Sequence, residues 1–413
     1  MTAVSQMRRV KALNRFTIVR AIQDHGPISR TALAHRTKLS KSTVSTITAE
    51  LLAQQVIGLH SVGESSGGRP VINLAFDTSA GYVIGLDLAN DPATILLTDL
   101  QGQVQEEITC AIAGIEPDTL LATVLPSLRT LLAGPRLPVL GVGVACPGKI
   151  DTAGGEVVKA ANLHMLHYPL RQKFHDALGC PIYLGNDTDC AALSEKHYGK
   201  GSESDDILYV AVGTGIGAGI ITSGALFTGS NGFAGEIGHM VVTDRMALCG
   251  CGNQGCLEAV AAGPAIAQEA WERLLSGEAS VLQALVGKGR DTCTAQAVLA
   301  AAAHGDALAC DVVITAARLI SRALAALVNA FDIDTVILSG PLAVPDELLF
   351  RTAEETTRSL VGVVHRPRLR FFAGQLGTRA NAIGAAVMVL QDIFTPHGLD
   401  QILLPELADV SAV

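Results

Sequence analysis

Four side chains with the chemistry of a metal site fall within one short stretch. Gly235-Glu236-Ile237-Gly238-His239 is followed, after a spacer, by Cys249-Gly250-Cys251-Gly252-Asn253-Gln254-Gly255-Cys256-Leu257-Glu258. One imidazole and three thiols, interleaved with glycines that let the backbone fold back on itself, are the ingredients of a closed tetrahedral zinc site. His239, Cys249, Cys251 and Cys256 are the expected ligands. The first two thiols are closer together than the spacing of about two to four residues in zinc fingers, so finger templates do not apply. The competing reading is three buried free cysteines, since a thiol packs well as a small hydrophobe. The glycines and the nearby histidine favour metal. Glu236 and Glu258 bracket the cluster, and a metal-pinned loop would hold both in fixed positions. That suits a polyhydroxylated small molecule better than nucleic acid, and makes the metal a structural clamp.

A second constellation is Gly185-Asn186-Asp187-Thr188-Asp189, directly after a strand at Pro181 to Leu184. An aspartate at the C-terminal end of a strand can accept a proton from a sugar hydroxyl, the general-base role in phosphoryl transfer. The alternative is capping, with Asp187 or Asp189 opening a helix through Ala191 and Leu193. Gly213-Thr214-Gly215-Ile216-Gly217 is a glycine run of the kind that cradles phosphate, although hairpins need glycines for their turns anyway.

These motifs resemble those of the ROK family, repressors and sugar kinases that share one fold. The resemblance implies that Glu236, His239 and Glu258 contact a sugar, with His239 also holding zinc. It further implies that Asn186 and Asp187 match a sugar-binding asparagine and a catalytic aspartate. Gly213, Thr214, Gly215 and Gly217 match the second phosphate loop. One departure counts against catalysis: where the kinases follow an aspartate with Gly-Gly-Thr, Asp87 is followed here by Leu88-Ala89-Asn90-Asp91-Pro92. Side chains replace hydrogens where bare backbone would approach ATP, and Asp91 adds negative charge. Electrostatic positioning is most of phosphoryl-transfer catalysis, so ATP is not expected to bind productively. Ser339-Gly340-Pro341 likewise stands where a glycine run is usual. No catalytic residue is expected, and Asp187 is a vestigial base.

The elements that must position these groups begin at Tyr82. Strands at Tyr82 to Leu86, Ala93 to Thr98 and Val104 to Ile112 precede a helix near Thr119 to Ala133 and a strand at Val139 to Ala145. The order recurs with strands at Ile207 to Val212, Ala218 to Ile221 and Leu226-Phe227, then helices and a strand at Val336 to Leu338. Two such copies facing one another make an actin-like, hexokinase-like (ribonuclease H-like) α/β body with a ligand cleft between its lobes. The expected division is a small lobe over 77–187, to which a helix within 378–395 returns, a large lobe with the zinc site over 188–377, and a tail over 396–413.

Residues 1–76 read differently, as an α+β winged helix-turn-helix. Leu13, Phe16, Val19 and Ile22 recur at helical spacing up to Gly26-Pro27. Ser29 caps a second helix, and Ser40 caps a third that runs to about Gln54 with Val44, Ile47 and Leu51 inward. Lys41, Ser42, Ser45, Thr46 and Ala49 then face outward, small enough to approach base edges and phosphates. Arg30 and Thr43 join them as candidate DNA contacts. Strands at Val56 to Val62 and Val71 to Leu74 form a wing whose glycine-rich tip carries Arg69, suited to a narrow minor groove. The competing reading is a three-helix interaction module. ROK repressors carry such a head, and the family's kinases lack it.

Charge supports the DNA reading. Residues 1–70 carry +7 and the remainder −16, within a total of −9 over 413 residues. A basic head on an acidic body implies that the head alone meets a polyanion. With 49% hydrophobic and 17% charged residues the chain can bury sizeable cores. Nine cysteines, an odd number with three clustered at one place, favour metal and reduced thiols over disulfides. Arg8, Arg9 and Lys11 lead into a helical pattern rather than an apolar leader, and the most apolar stretch, Ala307 to Ala330, is broken by Asp311, Arg318 and Arg322. A cytoplasmic location follows. The combined expectation is a sugar-responsive repressor that binds operator DNA as a homodimer or homotetramer, with a sugar or sugar phosphate as effector. The rival is a bifunctional sugar kinase, and a third reading makes the body a receiver for another protein.

Overall fold

The computed structural model describes residues 3–63, 71–134, 138–396 and 398–399. Helix α1 (Ala3–His25), strand β1 (Ile28–Ser29), α2 (Arg30–Thr37), α3 (Lys41–Ala53), β2 (Ile57–Gly63) and β3 (Val71–Phe76) build the head. The three strands pair in the order β1-β3-β2. Both expected caps are formed: Ser29 accepts from the Ala32 N–H at 3.2 Å and Ser40 from the Thr43 N–H at 3.1 Å. Val44, Ile47 and Leu51 join Ile18, Val19, Ile22 and Leu33 in one buried core. The wing tip with Arg69 lies outside the described residues.

The small lobe starts with β4 (Tyr82–Asp87), β5 (Ala93–Asp99), β6 (Val104–Cys110), α4 (Pro117–Ala133) and β7 (Val139–Cys146). A small antiparallel sheet follows, β8 (Lys149–Asp151), β9 (Glu156–Ala160) and β10 (Met165–Tyr168), then α5 (Leu170–Leu178) and β11 (Ile182–Asn186). The main sheet has the order β11-β7-β4-β5-β6. Helix α6 (Asp187–Tyr198) leads to the large lobe's β12 (Ile207–Val212), β13 (Ile216–Thr222) and β14 (Ala225–Leu226). Its helices are α7 (Leu257–Ala261), α8 (Gly263–Leu275), α9 (Gln283–Val286), α10 (Ala295–Ala303), α11 (Ala307–Phe331) and α12 (Leu348–Leu360). Strands β15 (Thr335–Ser339) and β16 (Arg370–Ala373) complete the sheet order β14-β13-β12-β15-β16. Two five-stranded sheets with the same strand-strand-strand-helix-strand logic give the actin-like, hexokinase-like body.

The last helix, α13 (Ala380–Ile393), returns to the small lobe. A Cβ at Gly85 or Gly143 would collide with the carbonyl oxygens of Ala382 or Ala385, so strand and helix backbones touch directly. Beyond α13, Phe394 meets Phe76 of β3 edge-on, with centroids 5.5 Å apart, and Leu399 is buried in the head's core. Apolar burial of this kind is worth roughly 25 cal/mol per Å² and makes the end of the body part of the head. Among the described residues no single helix is long and apolar enough to cross a membrane. Helices α10 and α11 meet at a bend of 113°, and both contribute to the large-lobe core.

Candidate functional site

The metal-ligating atoms of His239, Cys249, Cys251 and Cys256 all lie within 4.8 Å of one another. Cys251 Sγ is 3.7 Å from Cys256 Sγ, and His239 Nδ1 is 3.5 Å from Cys249 Sγ. A tetrahedron with metal–sulfur bonds of about 2.3 Å and metal–nitrogen bonds of about 2.0 Å has sulfur–sulfur edges near 3.8 Å and sulfur–nitrogen edges near 3.5 Å. The four donors fit one ion of that size. The loop is also tied by backbone: the Cys249 N–H donates to Asn253 O and the Leu257 N–H to Met240 O, both at 2.8 Å. With Nδ1 turned to the thiols, His239 presents Nε2 to Glu236 Oε2 at 3.4 Å. The same imidazole thus connects the cluster to the cleft.

Local geometry gathers the other expected residues. Gly235 has φ +84°, and a Cβ there would strike Ala218 O, so only glycine lets the loop carry Glu236 so close to β13. Glu258, in the first turn of α7, accepts from the Ile216 N–H at 3.1 Å. Asn186 is the N-cap of α6, and its Oδ1 accepts from the Thr188 and Asp189 N–H groups at 2.9 and 3.2 Å. Its Nδ2 donates to Gly148 O at 3.0 Å. The side-chain cap on the Thr188 and Asp189 amides is therefore Asn186.

Four acids, Asp87, Asp187, Asp189 and Glu236, bear on one another here. Burial, then the charges of Asp87 and Glu236, push Asp187 up to about 7. Asp189 is 9% exposed and is likewise pushed up to about 7, by burial and then by Asp187 and Glu236. The folded state binds these protons more tightly than the unfolded chain does. The resulting penalty is therefore absent below about pH 4 and grows as the pH rises toward 7. Asp189→Asn is expected to raise stability at pH 8 by on the order of 2 kcal/mol and to change it little at pH 4. Thermal melts at the two pH values check this.

The first loop departs from the charge argument made for it. Asp91 does not face an open phosphate position: its Oδ1 accepts from the Ile112 and Ala113 N–H groups at 2.8 and 3.1 Å, pinning the loop to the end of β6. Closure comes from its neighbours. Leu88 is fully buried, and Asp87 accepts from Ala89 N–H at 2.8 Å, Asn90 Nδ2 at 2.7 Å and Asn381 Nδ2 at 3.2 Å. The glycine loop is similarly occupied. The Gly213 N–H donates to Gly215 O, Gly213 O accepts from the Gly263 N–H, and Thr214 lies between them. A Cβ on Gly215 would sit 2.6 Å from Glu258 Oε2, and one on Gly217 2.8 Å from Thr188 Cγ2. These glycines therefore serve close packing. Asn381 and the buried Glu195, whose Oε1 accepts from the Gln375 N–H at 2.6 Å, were not singled out in the sequence. Their partners are distant in the chain, and no local spacing signals them.

On the head, Lys41, Ser42, Ser45, Thr46 and Ala49 are exposed along α3. Thr43 is half-buried with its hydroxyl 2.8 Å from Ser40 Oγ, within the capping cluster. Arg30 Nε donates to Thr48 Oγ1 at 3.0 Å and braces α2 on α3. Glu50 pairs with Lys11 at 2.8 Å and Arg15 at 3.0 Å. These pairs outweigh burial and hold its carboxyl below the usual range.

The ROK family model matches residues 83–392, and a winged helix-turn-helix DNA-binding model matches residues 12–57. The xylose repressor of Caldicellulosiruptor bescii is 30% identical over 94% of this chain and 97% of its own length. The DNA-binding transcriptional dual regulator NagC of Escherichia coli is 29% identical over 95% and 96%. A solved ROK family transcriptional regulator, a homologue of the E. coli MLC protein, superposes with TM-score 0.83 at 28% identity, covering 96% of this chain and 99% of that one. A ROK family glucokinase from Streptomyces griseus, solved with glucose and AMPPNP, is 30% identical with TM-score 0.64, covering 75% of this chain and all of that one. The kinase thus matches the body without the head. With a matching body over residues 83–392 and relatives aligned along nearly its whole length, the chain belongs to the ROK family.

Proposed function

We propose that the chain is a DNA-binding transcriptional repressor whose kinase-derived body senses a sugar. The observation that carries this reading is the union of a winged helix-turn-helix, with its third helix exposed, to a body whose first loop is closed by its own side chains. Asn186, Asp187, Glu236, His239 and Glu258 grip the sugar. Zinc is the metal that His239, Cys249, Cys251 and Cys256 suit best, because three thiolates and one imidazole form a closed soft site. It would fix the loop that presents Glu236 and Glu258. Two copies of the chain, as a homodimer or within a homotetramer, place two heads on a two-fold operator, where Lys41, Ser42, Ser45 and Thr46 meet DNA and Arg69 supplies the wing contact.

Helix α13 links the halves. At its start Asn381 bonds Asp87 beside the cleft, near its end Asp392 accepts from Tyr183 Oη at 2.7 Å, and Phe394 and Leu399 enter the head. Fourteen residues at about 1.5 Å each make a rod of about 21 Å between them. A sugar that favours one lobe arrangement shifts the heads only by its differential affinity for the two states.

Thr46→Glu tests the DNA half. A carboxylate facing phosphates is expected to weaken operator binding at least about 100-fold in fluorescence anisotropy while sugar binding stays unchanged. Undiminished operator binding by that variant would remove α3 from the reading role. Retained ATP-dependent phosphorylation of a hexose, lost in Asp187→Ala, would favour a bifunctional kinase instead.

A further inference from the structure

A cavity of about 700 Å³ lies where the head meets the body. Its walls come from α1 and β3 of the head, the turn after β5, the end of α6, and α13. None of the residues assigned above to the sugar, the metal or the operator lines it. Phe76, Leu100, Leu390 and Phe394 make one side apolar, and the edge-on pair of Phe76 and Phe394 offers aromatic surface to a flat ring. Arg20, Gln23 and Lys196 make the other side polar. The volume is that of an ordinary small-molecule site, about 300–1,000 Å³.

The polar side has unmet capacity. Gln23 Oε1 is buried and has no hydrogen-bond partner. A buried acceptor left unpaired is costly, and a ligand hydroxyl would satisfy it. Arg20 stands one turn earlier on the same face of α1. It meets Asp24 through Nε at 3.3 Å, which leaves guanidinium donors for a second anion. Lys196 Nζ donates to Ser204 O at 2.6 Å and to Asp205 Oδ1 at 3.0 Å, two of its three donors. Arg20 and Lys196 stand against Asp205 alone among the lining acids, so the wall favours an anion.

A ring for the apolar side, a hydroxyl for Gln23 and a carboxylate for Arg20 and Lys196 together describe one class of molecule. We propose that this cavity is a second effector site, taking a small hydroxylated aromatic acid that holds the head in its docked arrangement on the body. Such a ligand touches both parts at once, so it favours the arrangement that brings them together and acts on the operator-binding head without passing through the sugar cleft.

Calorimetric titration of the full-length protein at pH 7.5 with 3- and 4-hydroxybenzoate tests it. Benzoate and the matching hydroxybenzyl alcohol serve as the analogues that lack hydroxyl and carboxylate. The better isomer is expected to bind with a Kd of about 1 mM or tighter, and each analogue at least about fivefold more weakly. Gln23→Leu should make benzoate and hydroxybenzoate bind alike, and Arg20→Gln should remove most of the preference for the acid over the alcohol. Both replacements are good helix formers, so α1 should persist. At about 10 mM the better isomer should shift operator affinity at least about threefold in fluorescence anisotropy. Failure of both isomers to bind at about 10 mM overturns the proposal. So do preferences that survive both substitutions, or an operator affinity that the bound acid leaves unmoved.

Discussion

Cys256→Ser is expected to lose its metal and more than about 10 °C of melting temperature, and sugar binding with them. Cys256 is fully buried, its thiol lies 3.7 Å from Cys251 Sγ and 3.5 Å from His239 O, and it is one of the four clustered donors. Closed zinc sites of this kind add binding free energy directly to folding, with apparent values of about 10–16 kcal/mol in isolated finger peptides. Here the benefit is shared with a loop already tied by hydrogen bonds from Cys249, Gly252, Gly255 and Leu257, so the loss is a fraction of that. Glu236 and Glu258 lose their common support. Metal analysis of the purified variant, paired with a thermal melt, checks both parts. Equal stability with and without metal would reduce the cluster to three packed thiols.

Phe394→Ala is expected to leave both ligands bound and to break the conversation between them. The ring is half-buried against Phe76, at the point where the body's last helix passes into the head. Truncation should cost about 1–3 kcal/mol of stability, well short of unfolding. Its larger effect is on coupling, since Phe394 and Leu399 are where this segment joins the head's core. Sugar affinity and sugar-free operator affinity should each stay within about threefold, while the sugar's effect on operator affinity falls at least about fivefold. Anisotropy titrations with and without saturating sugar measure this. An unchanged response would place the linkage elsewhere.

The parts of the fold that were legible were those written in local pattern. Val44, Ile47 and Leu51 mark a helix face, Ser29 and Ser40 mark the starts of α2 and α3, and the apolar runs at Tyr82, Val139 and Ile207 mark strands without further help. Edges were less legible: β11 continues to Asn186, and β14 is Ala225–Leu226 rather than Leu226-Phe227. The site was legible by residue type but not by role. Asp91 stands in a phosphate-loop position, yet its partners are Ile112 and Ala113, about twenty residues on. Asn186 has the side chain of a ligand contact and spends its Oδ1 on a helix cap. Asp87 meets Asn381 across 294 residues, and nothing within a window of sequence announces such a pair.

Repression by a sensing body requires reciprocity: if a sugar changes operator affinity, the operator must change sugar affinity by the same factor. The direct measurement is the dissociation constant of the binding sugar, by calorimetry, in the absence and presence of saturating operator DNA. The account predicts a difference of about tenfold or more, equal to the sugar's effect on operator affinity. A sugar that binds equally well to the free protein and to the operator complex would contradict it.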